Sequence, residues 1–299
     1  MKLWQPLFMA SLLLTQSLVI ADSLVDWQAP DHQQHPLAGQ VWSSEIDELF
    51  SLTQFIDDLE KGSWLLMGEQ HDHPDHHQLQ TAILAKLAEN NRLGAVAFEM
   101  ANIEQQPLLD EWLGRGDDVE PEQLNWSPGW PWERYQQQVR QALNHATRVI
   151  GADLPRTGQM QAYQQGAAEG QLDHAHSHFM MELIFTSHCE MLPRANLSQM
   201  LQVQLGRDQQ MANAMAANTD AEKVNVLIAG SMHVRNDLGI PRWLSINNTS
   251  LILMSLEDMT EPSKYLVEAY PEFPVGELTS DFLLFTPTMP EQDYCAAFR

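Results

Sequence analysis

The sequence predicts an α/β protein with a largely parallel sheet that is flanked by helices and extended by long helical insertions. Short apolar runs recur along the chain, and several of them are followed at once by a polar residue. The segments between these runs carry apolar residues at helical spacing, which is typical of βαβ units. With 299 residues, of which 44% are hydrophobic, the chain is long enough to bury a sizeable core.

The N-terminus has the pattern of a secretory signal peptide. Lys2 precedes an apolar run over residues 7–20, and Val19 and Ala21 suit signal peptidase cleavage after Ala21. The apolar run is short for a retained membrane anchor. We therefore expect a signal peptide over residues 1–21 and a periplasmic or secreted protein. Because no cysteine lies near the cut, we expect no lipid anchor.

The first half of the mature chain alternates between the two kinds of element. Residues 22–45 are predicted to form a loosely ordered polar leader, and residues 46–280 a single α/β domain. This half is predicted to contain a helix over 46–59, a strand over 63–68, a helix over 74–90, a strand over 93–98, and helices over 103–146 that are interrupted at 127–132.

The second half continues the alternation and ends without a clear pattern. It is predicted to contain a strand over 147–152, helices over 160–222, strands over 224–230 and 250–256, and an irregular C-terminal tail over 281–299. Cys189 and Cys295 are the only cysteines. An exported protein can oxidise such a pair to a disulfide, but the sequence leaves their pairing open.

The net charge of −24 excludes two classes of partner. So acidic a chain repels nucleic acid and anionic membrane surfaces. We expect no nucleic-acid partner.

Polar residues stand at the ends of four predicted strands. Glu69 and His71 follow the first strand, Glu99 the second, Asp153 the third and His233 the fourth. The carboxyl ends of parallel strands share one edge of a sheet, where open α/β proteins place ligands. The sequence therefore predicts one shared site, although each of these residues alone is typical of an ordinary cap or hydrogen-bonding group.

Imidazole and carboxylate groups together suit either a divalent transition metal or acid/base chemistry. In the metal interpretation His71, Glu99 and His233 bind the ion, and Glu69 or Glu99 activates water. His76 falls on the apolar face of its predicted helix, either as a core residue or as a ligand, whereas His73 and His77 are expected to be exposed. The cluster from His174 to His178 is expected to be a solvated loop.

Several ordered segments resemble the ChaN-like haem-binding uptake family of the Tiki, TraB and erythromycin-esterase superfamily. They extend from about residue 40 to residue 245 and comprise Leu65–Gln80, Ala97–Met100, Trp132–Tyr135, Ala152–Arg156, Gln204–Asp208 with Met211, Ala229–His233 and Leu238–Arg242. Two departures stand out: the lipobox cysteine of many members is missing, and Asp153 stands where Asn is expected.

The resemblance implies an α/β envelope protein that binds haem and assists iron acquisition, in some members as a homodimer enclosing stacked haems. An outer-membrane haem receptor is the expected protein partner. From the wider superfamily it implies a metal-dependent hydrolase site at Glu69, His71, Glu99 and His233.

The haem-iron ligand stays open at the sequence level. Tyr135 lies in a matching segment and a phenolate binds ferric haem, while Tyr163, His71 and His233 compete with it. The arginines expected to meet the haem propionates are few: Arg156, Arg207 and Arg235.

Three functional hypotheses follow. The first is a haem-binding periplasmic protein for haem or iron acquisition. The second is a metal-dependent hydrolase of peptide or ester bonds. The third is a structural envelope protein that keeps the fold without chemistry.

Overall fold

The computed structural model of the protein describes residues 24–167, 169–268 and 279–296. The predicted signal peptide lies outside this range. No helix in the described residues combines the length and the apolarity that a membrane span requires.

The described residues form one sheet of eight strands. The strands are β1 Gln40–Ser43, β2 Glu48–Ser51, β3 Trp64–Glu69, β4 Leu93–Asn102, β5 Arg148–Asp153, β6 Val224–Gly230, β7 Asn248–Ser255 and β8 Phe282–Thr286.

Helices connect most of the strands. The α-helices are α1 Leu52–Asp58, α2 Pro74–Glu89, α3 Gln106–Trp112, α4 Trp132–His145, α5 Arg156–Gln165, α6 His174–Ser187, α7 Leu197–Ala217, α8 Ser231–Val234 and α9 Lys264–Glu268. Short 3₁₀ helices cover Ile103–Gln105, Gly116–Asp118, Pro121–Leu124, Arg194–Asn196 and Ile240–Trp243.

The strand order across the sheet is β2-β1-β8-β7-β3-β6-β4-β5. The pairs from β8 to β5 are all parallel, whereas β1 pairs antiparallel with both β2 and β8. The predicted fold class, a largely parallel sheet flanked by helices, is confirmed. The carboxyl ends of β3, β4, β5 and β6 consequently lie along one edge.

Alternation along the strands divides the core into two layers. Leu65 and Met67 of β3 pack on one face with α1, α2 and α4, and Trp64 and Leu66 pack on the other face with α7. Both faces are therefore covered, which explains why β3 and β6 are apolar almost throughout. A third cluster joins α6 to the first half of α7.

The N-terminal predictions need two corrections. The described part of the leader, residues 24–45, packs on the domain: Asp75 accepts hydrogen bonds from the backbone of residues 28 and 29, and β1 joins the sheet with Val41 and Trp42 buried. The predicted helix over 46–59 begins only at Leu52, because β2 pairs with β1 and a capping box between Ser51 and Gln54 starts α1.

The C-terminal prediction also needs correction. Residues 282–286 are the strand β8, which lies between β1 and β7 with Leu283, Leu284 and Phe285 buried. This run of four apolar residues is short, and its pairing with β1 joins segments about 240 residues apart that no local pattern relates. The predicted domain limits of 46 and 280 therefore exclude two strands of the sheet.

The two cysteines are paired. Cys189, just after α6, forms a disulfide with Cys295, and their Cα atoms are 5.4 Å apart. The bond ties the last described segment to the end of α6.

Candidate functional site

A cavity of about 1010 Å³ opens at the carboxyl edge of the sheet. The ends of β3, β4 and β6 form its floor, supplying Glu69, Glu99 and Gly230. Register explains this convergence, because Glu69 lies directly opposite Gly230 in the parallel pair of β3 and β6. The next residues along the chain, including His71 and His233, then fall at the same edge.

Glu69 is the centre of the first polar group on the floor. Its Oε1 accepts hydrogen bonds from the Tyr135 hydroxyl at 2.8 Å and from His71 Nδ1 at 2.9 Å, and its Oε2 accepts one from Gln80 at 2.7 Å. Burial disfavours the charged carboxylate, but the hydrogen bonds and charges of His71 and His77 outweigh it and lower the pKa of Glu69. Glu69 is therefore a buried carboxylate with both oxygens in use.

Gly230 allows the two halves of the floor to approach each other. A Cβ atom at this position would lie 2.8 Å from His71 Nε2 and 3.6 Å from Glu99 Oε2. Its backbone N–H donates to Glu99 Oε2 at 2.6 Å. A side chain at this position would force the His71 ring to move. His71 Nε2 is consequently packed against the strand end.

Arg207 of α7 is the centre of the second polar group. Its guanidinium donates to both oxygens of Asp153 at 2.9–3.0 Å and to Glu99 Oε1 at 2.7 Å. Burial opposes the charge of Arg207, yet Glu99 and Asp153 outweigh it and raise its pKa. Burial likewise opposes the charge of Glu99, but the charges of His233 and Arg207 hold its pKa well below the usual value. The group is a nearly buried ion network.

His233 completes this network. Its Nδ1 lies 2.5 Å from Asp208 Oδ1 and its Nε2 lies 3.3 Å from Glu99 Oε1. Burial opposes the imidazolium, but the charges of Glu99 and Asp208 outweigh it and raise the pKa of His233 to about 10. Burial raises the pKa of Asp208. His233 thus lies between two carboxyl groups that favour its protonated form, and its Nε2 also lies 3.3 Å from the Arg207 guanidinium.

The walls of the cavity differ from the floor in being mainly apolar. One face of α6 contributes Met180, Leu183, Ile184 and Ser187, whose spacing places them on one side of a helix, and His188 follows. The rest of the lining includes the apolar residues Trp130, Met232, Ile252, Leu253 and Met254 and the polar residues Gln70, Asp72, Arg134, Gln204, Ser255, Glu257, Gln292 and Tyr294.

The structure brings together the four residues on which the sequence analysis depended. Glu69, His71, Glu99 and His233 all line the cavity, and Arg207 lines it as well. Their roles in binding or chemistry stay predictions.

Three other predicted binding residues lie elsewhere. Tyr135 is fully buried beneath Glu69, and burial together with the Glu69 charge raises its pKa. Arg156 is exposed at the start of α5 and does not line the cavity. Arg235 is buried with its guanidinium bonded to Asp237. None of the three lines this cavity, and their part in binding stays a prediction.

The histidines of α2 are buried, which corrects two predictions. His73 and His77 were expected to be exposed, but His73 is stacked on His76 and bonded to the Pro287 carbonyl, and His77 packs against Tyr135. His76 is a core residue, because its Nδ1 accepts from the Gln70 N–H and its Nε2 bonds Thr286. His73 and His76 are buried against the end of strand β8, which the sequence did not predict.

The predicted solvated loop at His174–His178 is the first turn of α6. Asp173 caps the helix, and His176 is buried. The cavity is also lined by three polar residues that no sequence prediction included, His188, Arg134 and Tyr294. Arg134 lies within the matching segment Trp132–Tyr135, which was a usable signal. His188 and Tyr294 each precede a cysteine of the disulfide and lie outside the segments that resemble the family.

The donor set does not fit the predicted metal site. No group of three or more His, Cys, Asp or Glu side chains in the described residues is arranged to hold a metal ion. The physical reason is that the guanidinium of Arg207 already supplies the positive charge beside Glu99 and Asp153, and both nitrogens of His233 are engaged.

Comparison with known proteins assigns the chain to a family. The family model described as "Haem-binding uptake, Tiki superfamily, ChaN" matches residues 55–244, more than half of the chain. The chain belongs to this ChaN family. The resemblance predicted from the sequence motifs is thereby confirmed.

One solved structure supports the fold of this ChaN family member, and a second aligns less closely. A structure titled "Cofacial heme binding to ChaN of Campylobacter jejuni" aligns with a TM-score of 0.66 and 23% identity, over 82% of this chain and 95% of that one. An erythromycin esterase in its open conformation aligns with a TM-score of 0.44 and 11% identity, over 81% of this chain and 94% of that one. No curated protein shows a significant match.

Proposed function

We propose that this chain binds haem in the strand-edge cavity and serves haem or iron acquisition in the bacterial periplasm. The cavity carries the proposal, because its volume of about 1010 Å³ is at the upper end of the range for cofactor sites, about 300–1,000 Å³. Family membership and the haem named in the Campylobacter jejuni structure point in the same direction.

The apolar walls suit a porphyrin ring. Met180, Leu183 and Ile184 face the cavity from α6, and Leu253 and Met254 face it from the end of β7. A flat aromatic macrocycle gains most from such surfaces, since thioether and aliphatic groups pack well against π-systems. Haem would supply the iron chemistry, while these side chains hold the ring and exclude water.

The mouth of the cavity suits the haem propionates. Arg134 is exposed there, and within the described residues its guanidinium forms no hydrogen bond or ion pair. Arg207 is different, since its charge is matched by Glu99 and Asp153. Arg134 is therefore the cation that we assign to a propionate.

The metal-dependent hydrolase predicted from the sequence lacks a supporting donor set, for the reason given above. It nevertheless makes a distinct prediction, namely a stoichiometric transition metal in the purified protein without haem binding. The experiment below distinguishes the two.

The decisive experiment is a haemin titration of the mature chain with metal analysis by mass spectrometry. We expect a saturable Soret band at a fixed stoichiometry and no resident transition metal. Leu183→Trp fills the cavity from a half-buried position and should weaken binding, whereas Leu113→Trp, at the end of α3 and outside the cavity, should not. Equal haemin binding by both variants, or none by the unaltered protein, would contradict the proposal.

The location is tested separately. The signal peptide pattern over residues 1–21 and the Cys189–Cys295 disulfide support an oxidising compartment. We expect cleavage after Ala21 and recovery of the protein with the periplasmic fraction. Retention in the cytoplasm with an intact N-terminus would contradict the location and leave haem binding untouched.

Two partners belong to the same proposal. An outer-membrane haem receptor is the expected donor of haem, and a homodimer is the expected assembly. Sedimentation with and without haemin measures the second: a mass that stays monomeric when haemin is saturating would contradict it.

A further inference from the structure

We propose that His174 and His178 form a surface site for a divalent transition-metal ion, copper(II) above all, on the first two turns of α6. Neither histidine lines the strand-edge cavity, so the site is separate from the proposed haem site and does not depend on it. The two residues belong to the histidine cluster over 174–178, which the proposed function leaves without a role.

The first observation is the spacing of the two residues on a helix. Because α6 spans His174–Ser187, the side chains of His174 and His178 lie one turn apart on the same face. Side chains at this spacing have Cβ atoms about 5–6 Å apart. Two histidines four residues apart on one helix face are also the zinc-binding pair of many metalloproteases. The helix thus holds the two imidazoles at a distance that one ion can bridge, which the predicted loop would not do.

The second observation is that both imidazoles are available. His174 and His178 are exposed, and within the described residues neither ring forms a hydrogen bond or an ion pair. His176 lies between them in the sequence but on another face of the helix, where it is buried with its nitrogens 2.9 Å from Asp173 and 3.6 Å from Asp237. The outer pair can therefore turn toward one ion without giving up a contact of the folded protein.

A second pair of neighbouring histidines shows the difference. The rings of His32 and His35 have centroids 6.1 Å apart. However, His32 lies 3.1 Å from the Thr288 hydroxyl and 3.3 Å from Asp258, and His35 accepts a hydrogen bond from the Leu37 N–H. These two rings would have to exchange protein partners for an ion, whereas His174 and His178 would exchange only water.

The donor atoms select the class of metal. Imidazole nitrogens suit copper, nickel and zinc, and copper(II) has the highest affinity of the divalent series. Glu182, one turn further along α6, is paired with Arg194 at 2.6 Å, and no group of three or more His, Cys, Asp or Glu side chains in the described part of the chain is arranged to hold a metal. Water therefore completes the coordination, which suits the tetragonal geometry of copper(II) and keeps the ion exchangeable with chelators.

Binding at this site acts on the folded chain. The helical spacing of His174 and His178 exists only in the folded protein, so an ion held by both stabilises that state. Another face of α6 carries Met180 and Ile184, which line the strand-edge cavity and pack against α7. The net charge of −24 raises the concentration of cations near the surface.

The test is a copper(II) titration of the chelator-treated mature protein, followed by calorimetry and pulsed electron paramagnetic resonance. We expect one copper(II) ion per chain with two imidazole nitrogens, weaker binding of nickel(II) and zinc(II), and a rise in the urea midpoint with bound metal. Copper(II) bound through a single imidazole, or zinc(II) bound more tightly than copper(II), would overturn the proposal.

Variants of the pair identify the site. His174→Ala and His178→Ala should each raise the Kd for copper(II) by about 100-fold, because either change turns a two-point attachment into a single one. The double variant should resemble either single variant, since a lone imidazole binds no better than other exposed histidines. His145→Ala, on the surface at the end of α4, is the control and should bind copper(II) like the parent.

The remaining outcomes separate this site from the cavity. Two-imidazole copper binding that persists in the double variant would place the ion elsewhere and contradict the proposal. Single variants whose losses add up in the double variant would show two independent sites instead of one. The double variant should bind haemin like the parent, because neither residue lines the cavity. Near-ultraviolet circular dichroism of each variant checks that the fold is kept.

Discussion

The floor and the walls of the cavity are built on opposite principles. On the floor Glu69 and Glu99 are buried, as is Asp153 beside it, and every oxygen of these three carboxylates has a partner in the protein. On the walls, apolar side chains of α6 and β7 face open space, and Arg134 and His188 stand among them with donor or acceptor capacity to spare. The hydrogen-bonding capacity of the floor carboxylates is used within the protein, whereas part of the capacity of Arg134 and His188 is open to a guest.

This contrast separates the stability of the site from its capacity to bind. Charged groups that are already paired with one another offer few further hydrogen bonds to a guest. Removing one of them leaves its partners buried without an opposite charge, which lowers stability. Side chains that are exposed and unmatched cost little to change but meet the guest directly. The motifs of the sequence therefore mark the floor, whereas the proposed ligand contacts lie on the walls.

Replacing Arg207 should have the largest effect on stability. Arg207→Met leaves Glu99 and Asp153 buried without their cation, and we expect the free energy of unfolding to fall by about 3–5 kcal/mol. Urea denaturation measures it. The exposed Arg156→Met is the matched control and should stay within about 0.5 kcal/mol of the parent. A stable Arg207→Met protein would show that the floor is not a structural network.

Removing the disulfide is the next test, and it acts on the walls. We expect the double variant Cys189→Ser with Cys295→Ser to lose about 2–4 kcal/mol of unfolding free energy, because the bond closes a long loop of the unfolded chain. Release of the rim should also speed haemin dissociation. Unfolding in denaturant and stopped-flow transfer of haemin to an acceptor protein measure the two effects. Unchanged dissociation would show that the disulfide does not shape the binding site.

The same contrast explains how far the sequence alone could lead. Strands β3, β4, β5 and β6 were predictable because a buried parallel strand is an uninterrupted apolar run, and the polar residue that follows marks its end. Their convergence on one edge then follows from parallel pairing. Strands β1 and β8 escaped because they are short and pair across a separation of about 240 residues that no local pattern reveals.

The side-chain partners within the site and the residues of its walls were harder to predict for a related reason. From the sequence, the expected partner of the Glu99 carboxylate was a metal ion. No local pattern indicates that Arg207, on the distant helix α7, donates to it instead. His188 and Tyr294 lie outside the segments that resemble the family, and a disulfide joins the cysteines that follow them. Tyr135 was a reasonable haem ligand by motif, but α4 places its hydroxyl beneath Glu69.

The pH dependence of the unfolding free energy tests the contribution of His233 to the floor network without removing a residue. The pKa of His233 is raised in the folded protein from its ordinary 6.5 to about 10, so its contribution is complete below pH 6.5 and is lost as the pH rises through 10. We expect that contribution to be about 1.5–3 kcal/mol, as for hydrogen bonds to charged groups. The Tm of the parent should therefore fall more steeply between pH 6.5 and 10 than that of His233→Gln. His145→Gln is the surface control, and identical slopes for parent and His233→Gln would contradict a charged His233.

The smallest expected effect is the most informative about the walls. Arg134 and Arg156 are both exposed arginines, and both were candidates to meet an anionic ligand, but only Arg134 lines the cavity. An exposed ion pair is worth about 0.2–1 kcal/mol, so Arg134→Gln should weaken haemin binding severalfold at most, and less in high salt. Arg156→Gln should leave the Kd unchanged. If both variants bind haemin with the same Kd, the propionates do not contact Arg134. The guest then lies deeper in the cavity, against the buried carboxylates of the floor.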